Sequence, residues 1–446
     1  MKTTFKKTLI AAGVAAVMGG IAGQAQAANW LMLQGTEPSG AAPRAKVWGF
    51  IQAQYQKDMS DECNNTTTCG PALGGYIPPK LIGPNLDSQD SFNVNRARIG
   101  VRGTGFPLDP KVNYFFLAEF GNNGITKGSD NKYLTDASIT LNHIKGARIR
   151  VGMFKTPGFE EGLQAIHVFD YINFSSVGNQ LMLERFPSDG DVFHIPAPTP
   201  QANMNAYSRS VGAFRDVGIQ IFDTFKVNKW EHSYALMVGN GNGLNFADND
   251  KNKDIYAYWS SELVFGGRGP RREGLKMFLW SQTGKRTNAY DRTQEQDRKR
   301  YGVGFKYLKK PFRVTAEYLK GEGMIFQGQH RPGPHPSGTP SNFNGVFNDK
   351  EASGYYLDLG WYIPGSNWEI DMRYDSYTRE ENHQTSSLTD ESTFNTLTIG
   401  TQYHFNKKTR VNIEYADRDF KSDTTAVNAQ LEGVKGRFAI QLTHIF

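Results

Sequence analysis

The sequence lacks several features on which common folds depend. Only 2 of its 446 residues are cysteine, which excludes a small fold held by many disulfides, and no Cys-x-x-Cys-His motif is present for covalently attached c-type haem. After the N-terminal segment no run reaches the roughly 18 apolar residues that a membrane-spanning helix requires. The excess of basic over acidic residues is small, 50 against 44, and no basic tract carries interleaved aromatics. We therefore expect no nucleic-acid partner.

Residues 1–27 have the features of a secretory signal peptide. Lysines near the start precede an apolar stretch over 9–22, and Ala25 and Ala27 form the small-x-small pattern at which such peptides are cleaved. A single membrane anchor is the alternative, but the apolar stretch is short and interrupted by glycine. We predict a cleaved signal peptide and an exported chain in the outer membrane of a bacterium.

A period-two alternation of apolar and polar residues begins after a predicted periplasmic lead, residues 28–44. In the first segment Val47 and Ile51 lie on one face while Gln52 and Gln54 lie on the other, because strand side chains point alternately to opposite sides. The same pattern recurs to the end of the chain and predicts sixteen strands. These are 45–57, 92–103, 111–121, 133–142, 147–155, 215–223, 229–239, 254–265, 274–284, 299–308, 312–321, 352–362, 367–377, 393–405, 409–418 and 433–446.

The connections between these strands alternate between long and short. An even number of antiparallel strands with long loops at one end and tight turns at the other is typical of an outer-membrane barrel, whereas a soluble β-sandwich has no reason to keep its long loops at one end. Hydrocarbon offers the backbone no hydrogen-bond partners, so such a sheet must close on itself. We predict an all-β fold for 45–446, a single transmembrane antiparallel β-barrel of 16 strands with long extracellular loops and short periplasmic turns.

The longest connection, 156–214, is predicted to fold into the lumen as a constriction loop. A loop of this length without secondary structure is normally functional. Its apolar side chains, among them Phe159, Phe169 and Phe174, need something to bury against, and a sixteen-stranded barrel leaves a channel wide enough to take them. An external cap or a partner-binding loop is the alternative.

Several short stretches, in a fixed order along the chain, carry a family resemblance. They include Arg96-Ala97-Arg98-Ile99-Gly100-Val101-Arg102-Gly103, Ile149-x-Val151-Gly152-x-Phe154-Lys155-x-Pro157, Leu183-Glu184-Arg185 and Tyr234-x-Leu236-x-Val238-Gly239-Asn240-Gly241. Together, in this order, they resemble the phosphate-selective porin O and P family. The resemblance implies a homotrimeric outer-membrane channel whose third extracellular loop enters the bore.

Assigning the apolar parity to lipid places two groups of charged residues in the lumen. Opposed walls of opposite charge would set up a transverse field, and guanidinium groups suit tetrahedral oxyanions, although each arginine has the alternative role of a structural salt bridge. Arg215 shares the outward parity of Val217 and is expected at the rim. The predicted anion path is Arg96, Arg98, Arg102, Arg148, Arg150, Lys155, Arg185 and Arg313, and the predicted opposing acidic wall is Asp358, Glu369, Asp371 and Asp375.

The remaining motifs predict no catalytic, metal-binding or cofactor site. Cys63 and Cys69 lie in the first long loop, where export favours a small disulfide ring. No nucleophile with a neighbouring base and no metal-ligand cluster can be identified, so we expect no enzymatic activity, no metal and no cofactor.

The leading hypothesis is passive diffusion of small hydrophilic solutes, with anions such as phosphate preferred. Outer-membrane lipid and lipopolysaccharide are its expected surroundings. The alternatives are a barrel sheath around a multihaem electron conduit and a surface adhesion or receptor barrel.

Overall fold

The structure is a computed structural model. It describes residues 30–33, 36, 44–61, 90–105, 108–123, 125–126, 133–186, 209–244, 248, 250–267, 269, 271–287, 295–326, 346–347, 351–381, 391–423, 428 and 431–446. The predicted signal peptide and disulfide, residues 1–27 with Cys63 and Cys69, lie outside this part of the chain, as does the side chain of Arg185.

Within the described residues, sixteen antiparallel strands form one closed barrel in chain order. The strands are β1 (Lys46–Asp58), β2 (Asp90–Gly105), β3 (Asp109–Glu119), β4 (Leu134–Leu141), β5 (Arg148–Lys155), β6 (Arg215–Val227), β7 (Trp230–Gly239), β8 (Asp254–Gly266), β9 (Glu273–Thr287), β10 (Glu295–Lys309), β11 (Phe312–Glu322), β12 (Glu351–Tyr362), β13 (Trp368–Glu381), β14 (Ser392–His404), β15 (Thr409–Ser422) and β16 (Arg437–Ile445). All sixteen predicted strands are confirmed.

The barrel closes where the first strand pairs with the last. Gln54 of β1 lies opposite Gln441 of β16, and the pairing continues along both strands from Phe50 to Asp58. Closure removes the two exposed edges that an open sheet would have, so every strand is hydrogen-bonded to a neighbouring strand on each side.

The two faces of the wall differ in polarity as the alternation predicts. Val47 is 62% exposed on the outer face, while Gln52 on the inner face is 1% exposed. Apolar and aromatic side chains such as Leu279, Tyr355 and Trp361 point outward, and polar or charged side chains dominate the inner face. This reverses the arrangement of a water-soluble protein and suits a wall between lipid and water.

Several short elements lie off the barrel wall. Among the described residues, no helix combines the length and hydropathy needed to cross a lipid bilayer. The Thr156 amide donates a hydrogen bond to the Phe214 carbonyl at 2.9 Å, which joins the two ends of the longest connection at its base. The short elements are the helical turns Trp30–Leu33, Glu160–Leu163, Ile166–Val168 and Gly178–Met182, with two pairs of two-residue strands, Arg185–Phe186 with Arg209–Ser210 and Ile325–Phe326 with Val346–Phe347.

Candidate functional site

Residues 156–186, called the inner segment below, are tied to the inner face of the barrel by three wall carboxylates. Each carboxylate accepts a hydrogen bond from a backbone amide of the inner segment, and each comes from a different strand. The bonds run from Glu160 N to Glu317 of β11 at 3.1 Å, from Ile172 N to Glu414 of β15 at 2.9 Å and from Ser176 N to Asp375 of β13 at 2.7 Å. Because a buried carboxylate requires a donor, these bonds satisfy both the wall and the segment.

All four acidic side chains of the inner segment form ion pairs with basic side chains of the barrel. The segment therefore carries no free negative charge into the bore, and the four pairs hold it against one side of the barrel, β9 to β13. The pairs are Glu160–Lys276 at 2.7 Å, Glu161–Arg373 at 2.8 Å, Asp170–Arg313 at 3.0 Å and Glu184–Arg298 at 2.6 Å.

Glu184 is the most highly coordinated of these acids. Arg286 of β9 and Arg300 of β10 lie 3.0 and 3.2 Å from its carboxylate, in addition to Arg298. The residue adopts a left-handed backbone, with φ of 49°, which a non-glycine residue rarely does. Burial alone would raise the pKa of Glu184, but the three guanidinium groups outweigh it and lower the pKa to about 2. Glu184 is therefore a negatively charged anchor at neutral pH.

The four residues of the predicted acidic wall lie on the neighbouring strands β12 and β13. Each carboxylate has an arginine or a backbone amide as its partner. Arg313, which the sequence analysis assigned to the anion path, lies among these acids rather than opposite them, where it also pairs with Asp170 of the inner segment. The wall contacts are Asp358–Arg373 at 2.6 Å, Glu369–Arg313 at 3.0 Å, Asp371–Arg313 at 2.5 Å and Asp375 with the Ser176 amide at 2.7 Å.

The other predicted anion-path residues face inward from β2 and β5, but most already contact protein groups. Each basic group in this set is thereby held in one orientation. Arg98 pairs with Glu119 at 2.7 Å, Arg148 with Asp223 at 3.2 Å, Arg96 donates to Gln52 at 3.1 Å, and Arg102 donates to the carbonyl oxygens of Leu33 and Thr36, each at 3.1 Å.

Arg150 and Lys155 differ from the rest of this set. Among the described residues neither has a carboxylate within ion-pair distance. The Arg150 guanidinium lies 4.4 Å from the centre of the Phe222 ring, where a cation–π contact replaces an ion pair. The Lys155 ammonium donates to the carbonyl oxygen of Gln164 in the inner segment.

A small cavity of about 20 Å³ lies between β2, β5 and the inner segment. Arg96, Arg98 and Lys155 line it, together with Arg215.

The rim position predicted for Arg215 is wrong: its side chain is buried and pairs with Asp136 at 3.0 Å. Parity along a regular strand does not apply there, because β6 starts directly after the left-handed residue Phe214, with φ of 61°.

Several charged residues of the interior were not predicted from the sequence. Lys276, Arg286 and Arg298 share the inward parity of their strands, and this signal was present in the sequence. Their acidic partners Glu160 and Glu184 come from a connection without periodicity, so no sequence pattern indicated which wall residue each would meet.

His167 of the inner segment lies among basic groups. Burial, Arg410 and Arg98 together lower the pKa of His167 to about 3, so the imidazole is neutral at physiological pH. Its ring lies 4.9 Å from that of Phe50.

In the described part of the chain, no group of three or more His, Cys, Asp or Glu side chains is placed to hold a metal ion.

The sequence model of the family described as Gram-negative porin matches residues 12–423. The chain belongs to the Gram-negative porins. This porin is a barrel channel of the outer membrane, and its family is one of channels rather than enzymes. Among curated proteins none matches the sequence.

Two solved structures share the fold of this porin. Salmonella typhi OmpF in complex with daunomycin matches with a TM-score of 0.51 and 12% identity, over 90% of this chain and 97% of that one. A loop L8 deletion mutant of OmpT, an outer membrane protein of Vibrio cholerae, matches with a TM-score of 0.50 and 11% identity, over 91% of this chain and 100% of that one. At such identities the similarity is one of fold.

Proposed function

We propose that this porin is a passive diffusion channel for small hydrophilic solutes and that it favours anions such as phosphate. The observation that carries the preference is the greater exposure of the base in two ion pairs of the bore. The Arg148 side chain is 18% exposed against 9% for its partner Asp223, and Arg271 is 29% exposed against 8% for its partner Asp170. At these two pairs a solute in the bore therefore meets the arginine before the carboxylate.

The environment of the other lumen charges supports the same preference. The carboxylates of Glu317, Glu414 and Asp375 accept hydrogen bonds from the inner segment and are covered by it. Arg150 and Lys155 have no such carboxylate cover among the described residues. Resemblance to the phosphate-selective porins O and P, in the stretch that includes Lys155, adds to the proposal.

The inner segment is proposed as the constriction loop, with Arg185 as part of the path at its narrowest point. Because the segment is held from several strands by ion pairs, it limits the width of the bore and restricts passage to small solutes. It also occupies the space that a sheath around a multihaem cytochrome would need.

The surroundings follow from the outer face and from the resemblance. The outward apolar band would contact outer-membrane lipid, with lipopolysaccharide in the outer leaflet. The long connections would lie outside the cell and the short turns in the periplasm, and Cys63 and Cys69 would form a disulfide in the first long loop.

Strand length supports a homotrimer. β4 and β5 have 8 residues each, whereas β1 and β6 have 13. At about 3.3 Å per residue and a tilt of about 40°, eight residues cross about 20 Å, less than the apolar band of about 25 Å. We propose that neighbouring copies of the chain cover this low side of the barrel.

The test is the reversal potential across a planar bilayer in a salt gradient. The double variant Arg148→Gln with Arg271→Gln should lower the ratio of anion to cation permeability, because it removes the exposed basic charges while Arg150 and Lys155 remain. Lys421→Gln is the matched control, since Lys421 is 67% exposed and pairs with Asp419 on the outer face.

An unchanged reversal potential in the double variant would reject the anion preference. Absence of stepwise conductance from the wild-type protein would reject the channel itself.

A further inference from the structure

Four consecutive apolar residues of the predicted periplasmic lead lie inside the barrel. Trp30–Leu33 forms one helical turn, and Trp30, Leu31 and Met32 are buried. An apolar turn in water would gain nothing from adopting a fixed position, so the barrel must supply the surface on which it is buried.

Arg102 fixes where along the bore this turn lies. The Arg102 guanidinium donates hydrogen bonds to the carbonyl oxygens of Leu33 and Thr36, each at 3.1 Å. Arg102 lies opposite Lys46, the first residue of β1, and near the short connection between β2 and β3. The turn is therefore held toward the short-turn end of the bore, away from the long connections.

The inner wall carries an apolar row that belongs to the same buried cluster as Trp30, Leu31 and Met32. The row crosses four adjacent strands, and each member lies directly opposite the next in the sheet register. Its members are Phe222 of β6, Ala235 of β7, Tyr258 of β8 and Trp280 of β9. The interior of a water-filled barrel is normally polar, so an apolar row on the inner face requires a cover. Off the barrel wall, the same cluster contains Trp30, Leu31 and Met32, and it contains Phe159 and Leu163 from the inner segment.

We propose that Trp30–Leu33 is an intrachain plug that docks on this apolar row and narrows the short-turn end of the bore. The plug acts at the opposite end of the barrel from the long connections. Pore width would then be set by two parts of the chain, the inner segment and the plug. The conductance test below rests on the proposed channel function, whereas the labelling test does not.

Single-channel conductance in planar bilayers tests the obstruction. Deletion of residues 30–36, which leaves the predicted cleavage site in place, should raise the conductance. A helical turn with its side chains is about 10 Å across, so we expect a rise on the order of twofold. The double variant Leu31→Asp with Met32→Asp should act in the same direction by undocking the turn, and it keeps the chain length. Leu108→Asp is the matched control, because Leu108 is 94% exposed on the connection between β2 and β3.

Cysteine labelling tests the docking without relying on conductance. In a Cys63→Ser, Cys69→Ser background, Leu31→Cys should react with a hydrophilic maleimide much more slowly than Leu108→Cys in the folded barrel, and equally fast after denaturation. Equal rates in the folded barrel would overturn the plug. Slow labelling of Leu31→Cys with unchanged conductance in both plug variants would also overturn it, because the turn would then dock without obstructing. If wild-type protein did not conduct at all, the channel function would fail, and the labelling rates would still decide whether the turn docks.

Discussion

Glu184 illustrates how the bore accommodates a buried charge. Its carboxylate has three arginine partners on two strands, and its backbone adopts a left-handed conformation to reach them. A buried ion pair adds little net stability when intact, because desolvation offsets the attraction, but removing one partner leaves the other charge buried and uncompensated. The contribution of Glu184 is therefore seen when it is removed.

Glu184→Gln should lower the free energy of unfolding of the barrel in detergent by about 3–5 kcal/mol at neutral pH, because three guanidinium groups lose the carboxylate that they share. Heat-induced unfolding measures this loss. The ordinary pKa of a glutamate is 4.5 and that of Glu184 in the folded chain is about 2, so its stabilising effect is present above pH 4.5 and is lost as pH falls toward 2. The variant should lack this part of the acid sensitivity. Glu322→Gln, which removes an exposed pair with Lys299 on the outer face, should change stability little. Equal effects of the two substitutions would contradict the anchoring role.

His167 leads to a second pH dependence at a separate residue. The folded chain keeps the imidazole neutral, with a pKa of about 3, while the unfolded chain protonates it near pH 6.5. The contribution to stability is full above pH 6.5 and declines as pH falls, by at most about 2 kcal/mol at pH 5. Wild type should therefore lose more thermal stability than His167→Gln between pH 7 and pH 5, measured by heat-induced unfolding in detergent. A parallel decline in both proteins would mean that His167 is protonated in the folded barrel.

At the scale of elements, the positions of the strands were predictable from the sequence, whereas the contacts of the inner segment were not. A strand that separates lipid from water must alternate, so its position can be predicted from its own residues, and all sixteen strands were found. The inner segment has no such period. Its position depends on carboxylates such as Glu317 and Glu414, which lie far away in sequence, and nothing in the sequence indicated that backbone amides of the segment would be their donors.

The tethers of the inner segment make a prediction about its mobility. Asp375→Ala combined with Glu414→Ala removes two of the carboxylates that accept bonds from the segment, each worth about 1.5–3 kcal/mol as a charged hydrogen bond. We expect a more mobile segment, measured as larger open-channel current noise, in a barrel whose sixteen strands still form. Asp419→Asn on the outer face of β15 is the control, since it removes a carboxylate from the same strand as Glu414 without touching the segment. Noise equal to that of the control would show that the ion pairs alone hold the segment.

The whole molecule is a closed wall whose shape is uneven around its circumference. Closure and strand number follow from the alternation and from the need to pair every backbone group in lipid. The ion-pair partners of the charged residues were not predictable in the same way. The parity of a residue along its strand predicts which face of the wall it lies on, but not which residue it pairs with. Arg313 was expected opposite the acidic wall and lies within it, while Arg215 was expected at the rim and is buried. Pairing between distant strands is a property of the closed barrel and has no local signal.

The short strands β4 and β5 make the oligomeric state testable from the outer face. Ile139 of β4 and Leu279 of β9 are similarly exposed on a single chain, 53% and 57%, although they lie on different sides of the barrel. If neighbouring copies cover β4 and β5, Ile139→Arg places an unpaired charge in the interface, whereas Leu279→Arg places it in the detergent belt. Ile139→Arg should therefore convert the trimer to monomers on unheated gels and in light scattering, and Leu279→Arg should leave it intact. Trimers that survive Ile139→Arg would place the interface elsewhere on the wall, and a monomeric wild type would reject the trimer itself.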